Sequence, residues 1–526
     1  MLALVLAVLL LAVPGAHAQE AGYVPTGEIV ADSGFRPTVH GFSFENYGET
    51  EGIRDLGPNE MRALFGSRAC IRIADGRCHL TQVAREWMND VNDAMGGGHC
   101  YGLAMMSLLL YKDTLPGARQ LGMPMGPAYG MPLNPMLQRN IAYTWAWQTL
   151  DSVIDRTVVA TPKEVLEKLI EVLRDGGRES WGLGFFAREG GGHEVTPYAV
   201  ESKGDGKYVV LVYDNNWPGR TTPFHVDTVA NTWRYDLSAG NPEYEPQVWE
   251  GDAKTKTMDI SPTTPGVGVQ PCPFCEGSKT QYNRVTLDSS PTNHPNLLIR
   301  DRYKRRVGWV GDKLVNEIPG AKVIQPVTAE PWQDKPEPEY RIPVSGGGLT
   351  ITIDGRRLKK RSKGDVRVIG PGYFSAVEDI SVTPGDVDSL TVGARGERLR
   401  YKTKRSESPN VGLAFDRDGV SWNFSALSYD VENGSVIDFR VDKRRGRVRF
   451  SNDGGQGNYS IAAFRDSRKA SLDWGATYEI TGAVEASIAY NRRIRDDNGK
   501  PGIPITWTEE DGLSYTDALD RDYQDE

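Results

Sequence analysis

Cys100 opens the stretch of this 526-residue chain whose residue types point most directly at covalent chemistry. It follows Met95-Gly96-Gly97-Gly98-His99 and leads into Tyr101-Gly102-Leu103-Ala104-Met105-Met106-Ser107-Leu108-Leu109-Leu110, which is apolar nearly all round. The glycines give backbone freedom and close approach just before the thiol. A segment apolar on every side predicts a buried helix. A thiol at a helix N-terminus faces unpaired N–H groups and the positive end of the dipole, and both favour the thiolate that attacks a carbonyl carbon. A second glycine run, Gly190-Gly191-Gly192, precedes His193, and one β-prone run later Tyr208–Tyr213 ends in Asp214-Asn215-Asn216-Trp217. Neighbouring antiparallel strands bring the start of one beside the end of the next. Asp214 is then placed to orient His193 while the imidazole takes the proton of Cys100. Asn215 is the alternative third member. Asn92, with the backbone N–H of Cys100, is the candidate oxyanion donor.

The cysteine count sharpens the choice of nucleophile. Cys70 and Cys78 flank the turn dipeptide Asp75-Gly76, and Cys272 and Cys275 form a CxxC, which leaves Cys100 alone among five. A redox pair and half of a zinc site are the other readings of the CxxC, but it follows a Pro-rich stretch rather than a strand–helix junction, and two disulfides are the preferred expectation. His99 is read as a wall of the cleft. His40, His79, His225 and His294 read as surface or packing residues, and Glu45 and Asp90 stand isolated. No metal-ligand spacing stands out, and no cofactor is expected.

The elements that must position these groups follow from periodicity. Helices are predicted at Pro58–Phe65, Thr81–Met88, Cys100–Lys112 and Met136–Asp155, and after the capping box Thr161-Pro162-Lys163-Glu164. Strands are predicted at Trp181–Phe186, Glu194–Val200 and Tyr208–Tyr213. Helices first and strands afterwards predict an α+β domain over residues 19–260, with an irregular lead-in. Residues 261–295 read as a linker carrying the CxxC. Residues 296–510 read as an all-β, β-sandwich-like region of one or two modules, and 511–526 as an acidic tail. Thr328–Glu339 is read as an internal boundary, and no fixed-period repeat is detected.

Met1–Ala18 combines an apolar run with the small-x-small triplet Ala16-His17-Ala18, the pattern of a cleaved secretory signal, so a secreted or periplasmic, cell-envelope location is expected. No later run is long enough for a transmembrane segment. The formal net charge of −9 gives no overall field for nucleic acid. The basic run Arg356–Arg361 reads as a solvated face.

The order Cys, His, Asp/Asn, a nucleophile opening a helix, and a histidine and an acid on successive strands resemble the papain-like cysteine peptidase superfamily. Gly98-His99-Cys100-Tyr101-Gly102 is similar to the Gly-x-Cys-aromatic-Gly segments of exported bacterial relatives. The resemblance spans roughly residues 40–235 and implies an α+β papain-like fold with Cys100, His193 and Asp214 as a triad. Two departures stand. No Gln lies between Gln82 and Cys100, where those enzymes carry an oxyanion Gln, and Asp214-Asn215-Asn216 replaces papain's Asn followed by Ser-Trp-Gly. The implied activity is a cysteine peptidase or amide hydrolase acting on a protein or peptide through a thioester. A papain-fold transglutaminase or other acyl transferase, and a non-catalytic envelope or adhesion protein contacting the cell envelope through its β-rich region, remain open.

Overall fold

The computed structural model describes residues 22–48, 52–53, 55–112, 127–174, 179–186, 192–240, 242–243, 245–279, 281–290, 292–324, 337–429, 435–453, 457–480, 484–496, 499–509 and 511–521. The expected export leader 1–18, the loop residues 116–126, Gly190 and Gly191, residues 328–336 of the expected internal boundary and the last five residues of the expected acidic tail lie outside them.

The first half of the chain builds a curved, nine-stranded half-barrel sheet with helices against it. Its strands run in the spatial order Gln247–Asp252, Thr232–Ser238, Thr222–Asp227, Lys207–Tyr213, Gly192–Gly204, Trp181–Phe186, Met258–Pro262 and Val158–Ala160, and Glu28–Asp32 adds to Gly192–Gly204. Alternation sets the faces: Leu183, Phe185, Val195, Val210 and Phe224 enter one apolar cluster with Leu166 and Leu169 of the helix Pro162–Arg174. That helix starts on the predicted box, with Glu164 Oε2 accepting from Thr161 N at 3.0 Å. The helix Gln82–Met95 is longer than predicted and is capped by Thr81, which accepts from Ala84 N at 3.1 Å. The predicted helix Met136–Asp155 is broken. Pro135–Trp145 passes into a 3-10 turn at Ala146–Thr149, and extended backbone at Leu150 separates it from Asp151–Ile154.

The second half is made of hairpins that alternate between two walls. Ser362–Gly370 and Tyr373–Val382 lie in one wall, and Val387–Val392 with Arg398–Lys402 lie in the other. Asn410–Arg417 and Val420–Tyr429 return to the first, and Val436–Asp442 with Arg447–Asp453 return to the second. Each hairpin pairs along its wall with the next but one in sequence. Ser514–Arg521 pairs with Ser471–Ile480 in the first wall and with Pro501–Thr508 in the second, joining the two. The result is one nearly closed, barrel-like sheet of twenty strands around a single apolar interior that includes Ile351, Leu390, Leu413, Phe424, Phe439, Phe450 and Trp507. A two-residue strand, Ile494–Arg495, is appended to Pro501–Thr508. The hairpin unit recurs after forty-nine residues, the step from Val387 to Val436 and from Arg398 to Arg447.

The expected α+β papain-like domain followed by a β-sandwich-like region is overturned: the protein is mostly β, 47% strand against 19% helix. The helices-then-strands order suggested α+β because periodicity reports each element but not its partners. In the second half, pairing of every hairpin with the next but one, and closure through Ser514–Arg521, turns the two expected faces into one sheet. Ser514–Arg521 lies where an acidic tail was read. Tyr282–Ser289, within the expected linker, pairs on both sides in the first wall. The halves share a core as well. Trp87, Val91, Tyr101, Trp145 and Phe274 cluster with Ile369, Phe374 and Ala414 on the outer side of the first wall.

Candidate active site

Gly98 has φ 144°, a backbone conformation that side-chain-bearing residues rarely adopt, and this bend aims the chain into the helix Cys100–Lys112. Leu103 N donates to His99 O at 3.0 Å, so His99 caps the helix and the N–H of Cys100 falls in the first turn, where no intrahelical acceptor exists. Gly102 brings this helix against Pro135–Trp145; a Cβ there would lie 2.3 Å from Ile141 O. On its other side the helix meets the half-barrel, where Ser107 Oγ and Thr196 Oγ1 are 3.1 Å apart.

His193 stands near the start of Gly192–Gly204, paired with Phe185, whose ring meets the imidazole edge-on at 5.6 Å. Asp214 immediately follows Lys207–Tyr213, the next strand in the sheet. His193 Nε2 and Asp214 Oδ1 are 2.8 Å apart, and both side chains are buried. Asp214 Oδ1 also accepts from Asn216 N at 2.8 Å, and its Oδ2 accepts from Tyr235 OH at 2.5 Å. The other ring nitrogen, Nδ1, is buried without a hydrogen-bond partner, and the Cys100 thiol lies close enough to the imidazole to raise its pKa. Cys100 itself is a free cysteine with partial exposure. Burial alone would lower the His193 pKa. The Asp214 carboxylate, and then Cys100, override this and raise it to about 10. A protonated imidazole beside Asp214 is thereby favoured.

The other sequence candidates occupy distinct places. Asn215 is not directed at the imidazole. Its Nδ2 donates to Cys100 O at 3.1 Å and to Glu194 O at 2.9 Å, tying the helix that Cys100 opens to the strand of His193. Asn92 clasps the backbone of Leu56, accepting from its N–H and donating to its carbonyl, each at 3.1 Å, so its amide is engaged away from the thiol. The donor left at the nucleophile is the backbone N–H of Cys100. His99 is buried, stacked on Tyr47 at 4.3 Å, with Nδ1 2.8 Å from Tyr47 O and Nε2 2.8 Å from Asp55 Oδ1.

Three residues not singled out by sequence complete the site. Asn46 accepts from His99 N at 2.8 Å and donates to Asn216 Oδ1 at 3.0 Å, bracing both sides of the triad. Tyr235 holds the outer oxygen of Asp214. Glu194, next to His193, is buried near Cys100 and Asp259. Burial, then the charges of Asp259 and Cys100, push its carboxyl well above the usual range. A cavity of about 330 Å³ borders Gly97 and Trp145 on the side facing the large sheet, among Asp90, Arg284 and Arg367, and not at the thiol.

Both predicted disulfides are present. Cys70–Cys78 closes the hairpin of Cys70–Ala74 and Arg77–Leu80, and Cys272–Cys275 brackets Phe274, whose ring packs 5.0 Å from Phe65 in the shared core. Two disulfides fit an oxidising environment. Among the described residues no cluster of three or more metal-ligating side chains occurs, and no helix is long and apolar enough to cross a membrane. No protein-family model, no curated protein and no solved structure matches this chain.

Proposed function

We propose that the protein is an exported cysteine hydrolase that cleaves amide bonds in a peptide or protein through a thioester intermediate. The observation that carries this reading is the imidazole of His193, held by Asp214 through Nε2 while Nδ1 is left to the Cys100 thiol. The order of the three residues, and the glycine-led segment around Cys100, are the reasons to set the chain beside papain-like peptidases. The Cys100 sulfur attacks the carbonyl carbon, forming the C–S bond, and the oxyanion gathers at the N–H of Cys100 in the first helical turn. His193 passes its proton to the departing amine as the C–N bond breaks. A water molecule, deprotonated by His193, then displaces the sulfur and releases the acid. The leader chemistry of Met1–Ala18 and the two disulfides support a secreted or cell-envelope location.

The test combines labelling and turnover on mature protein. Cys100 is expected to react with iodoacetamide faster than a free thiol at neutral pH, and Cys100→Ser to abolish both labelling and cleavage of a peptide library. A rate equal to that of an ordinary thiol would remove the reading. Incorporation of an added amine in preference to water would reassign the second step to acyl transfer.

A further inference from the structure

The two walls of the large sheet meet different surroundings. The outer side of the first carries the shared core and the ion pairs that Arg284 makes with Asp90 and Arg72 makes with Asp466, so the first half of the chain covers it. The outer side of the second wall is open. There the forty-nine-residue step repeats a basic strand: Arg398-Leu399-Arg400-Tyr401 and Arg447-Val448-Arg449-Phe450. Leu399, Tyr401, Val448 and Phe450 enter the interior, so Arg398, Arg400, Arg447 and Arg449 point outward, as does Lys402. The strand between them, Val436–Asp442, adds Arg440, opposite both Arg398 and Arg449 in register. The turn beyond it brings the exposed Arg444 and Arg445.

The carboxylates on this face do not balance the cations. Asp438 is shared by Arg398 and Arg440, Asp442 meets Arg445 at 3.8 Å, and Glu485 meets Arg449 at 3.6 Å. Among the described residues no carboxylate pairs with Arg400, Lys402, Arg444 or Arg447. A basic face on a chain of net charge −9 is a local concentration of charge, not a reflection of composition. The cations stand about 7 Å apart along a strand, and about 10 Å apart from one basic strand to its repeat. Ser389, Thr391, Ser451 and Ser487 supply hydroxyls among the neighbouring outward positions, beside Val387, Asp453 and Glu485. The outward positions of the three basic strands carry no aromatic ring on which a base could stack, and no long apolar side chain to enter a bilayer.

We infer that this face binds a polyanionic polysaccharide, its acid groups meeting the repeated arginines and its hydroxyls the serine and threonine positions. The inference stands on the charge and register of the second wall and is independent of the chemistry at Cys100. The test is retention of the full mature chain by polygalacturonate, compared with neutral dextran, phosphatidylglycerol vesicles and duplex DNA. Polygalacturonate is expected to bind, dextran not, and affinity to fall about tenfold or more between 50 and 200 mM salt as counterions are released. Arg400→Glu with Arg449→Glu is expected to weaken binding at least tenfold while Cys100 labelling is unchanged; Lys168→Glu, on a helix of the first half, is expected to change neither. No binding to polygalacturonate, stronger binding to the vesicles or to DNA, or an unchanged affinity in the double variant would each overturn the inference.

Discussion

Asp214 spends both carboxylate oxygens on fixed donors, and this decides what the imidazole can do. With His193 Nε2 and Asn216 N on one oxygen and Tyr235 OH on the other, the ring is held in one orientation and Nδ1 is left without a hydrogen bond. Asp214→Asn is expected to lower turnover about a thousandfold or more, with the fold retained by circular dichroism, because an amide no longer stabilises the imidazolium. Tyr235→Phe should cost less, about tenfold, measured as kcat, since it removes one hydrogen bond to the carboxylate. The His193 pKa, raised from 6.5 to about 10 in the folded protein, also carries a pH signature. The stability it contributes is complete below the unfolded value near 6.5 and is lost as pH rises through about 10. Thermal melts between those limits should show a falling Tm in the native protein and a flatter profile in Asp214→Asn; equal slopes would separate the pair from stability. Cys100, His193 and Asp214 were legible in sequence because glycine runs and strand ends mark them locally. Asn46, Tyr235 and the real task of Asn215 were not, because each acts through residues far along the chain. Asn92 looked available for the same reason: its partner, Leu56, lies thirty-six residues away in sequence.

At the scale of elements, the helix that Cys100 opens is positioned by contact more than by its own preferences. Gly102 allows Ile141 O to approach where a methyl group would overlap it. Gly102→Ala is expected to push the helices apart, destabilise the protein by about 1–3 kcal/mol in urea melts and slow Cys100 labelling. A variant with native stability and native labelling would show that the approach is dispensable. The helix and strand patterns around the triad could be read from periodicity and capping, and the starts at Pro58, Cys100 and Pro162 follow those signals. The forty-nine-residue recurrence could not, because what recurs is strand spacing, inward apolar alternation and one pair of basic strands, while the turns between them differ in sequence.

Across the whole molecule the two halves are not independent. Trp87, Trp145 and Phe274 share one cluster with Phe374 and Ala414, and part-buried Arg284 bridges Asp90 and Glu339. A chain ending at residue 265 would leave that cluster open to water and Asp90 without its guanidinium partners. It is expected to be insoluble or to lack a cooperative melt. In the full chain, Asp90→Ala strips Arg284 and Arg367 of a shared partner and should cost about 3–5 kcal/mol by denaturant titration. Composition and alternation signalled a β-rich second half. The way it closes, through Ser514–Arg521, depends on partners that no local pattern names.

The hairpin unit also makes the size of the second half a stepped quantity. Each unit inserts two strands into each wall, and strands sit about 4.8 Å apart, so gaining or losing one unit changes the span by about 10 Å. Such a step leaves the inward apolar alternation intact at both joints and does not touch the thiol. The length of the large sheet is therefore a quantity that evolution or an engineer can alter by whole units.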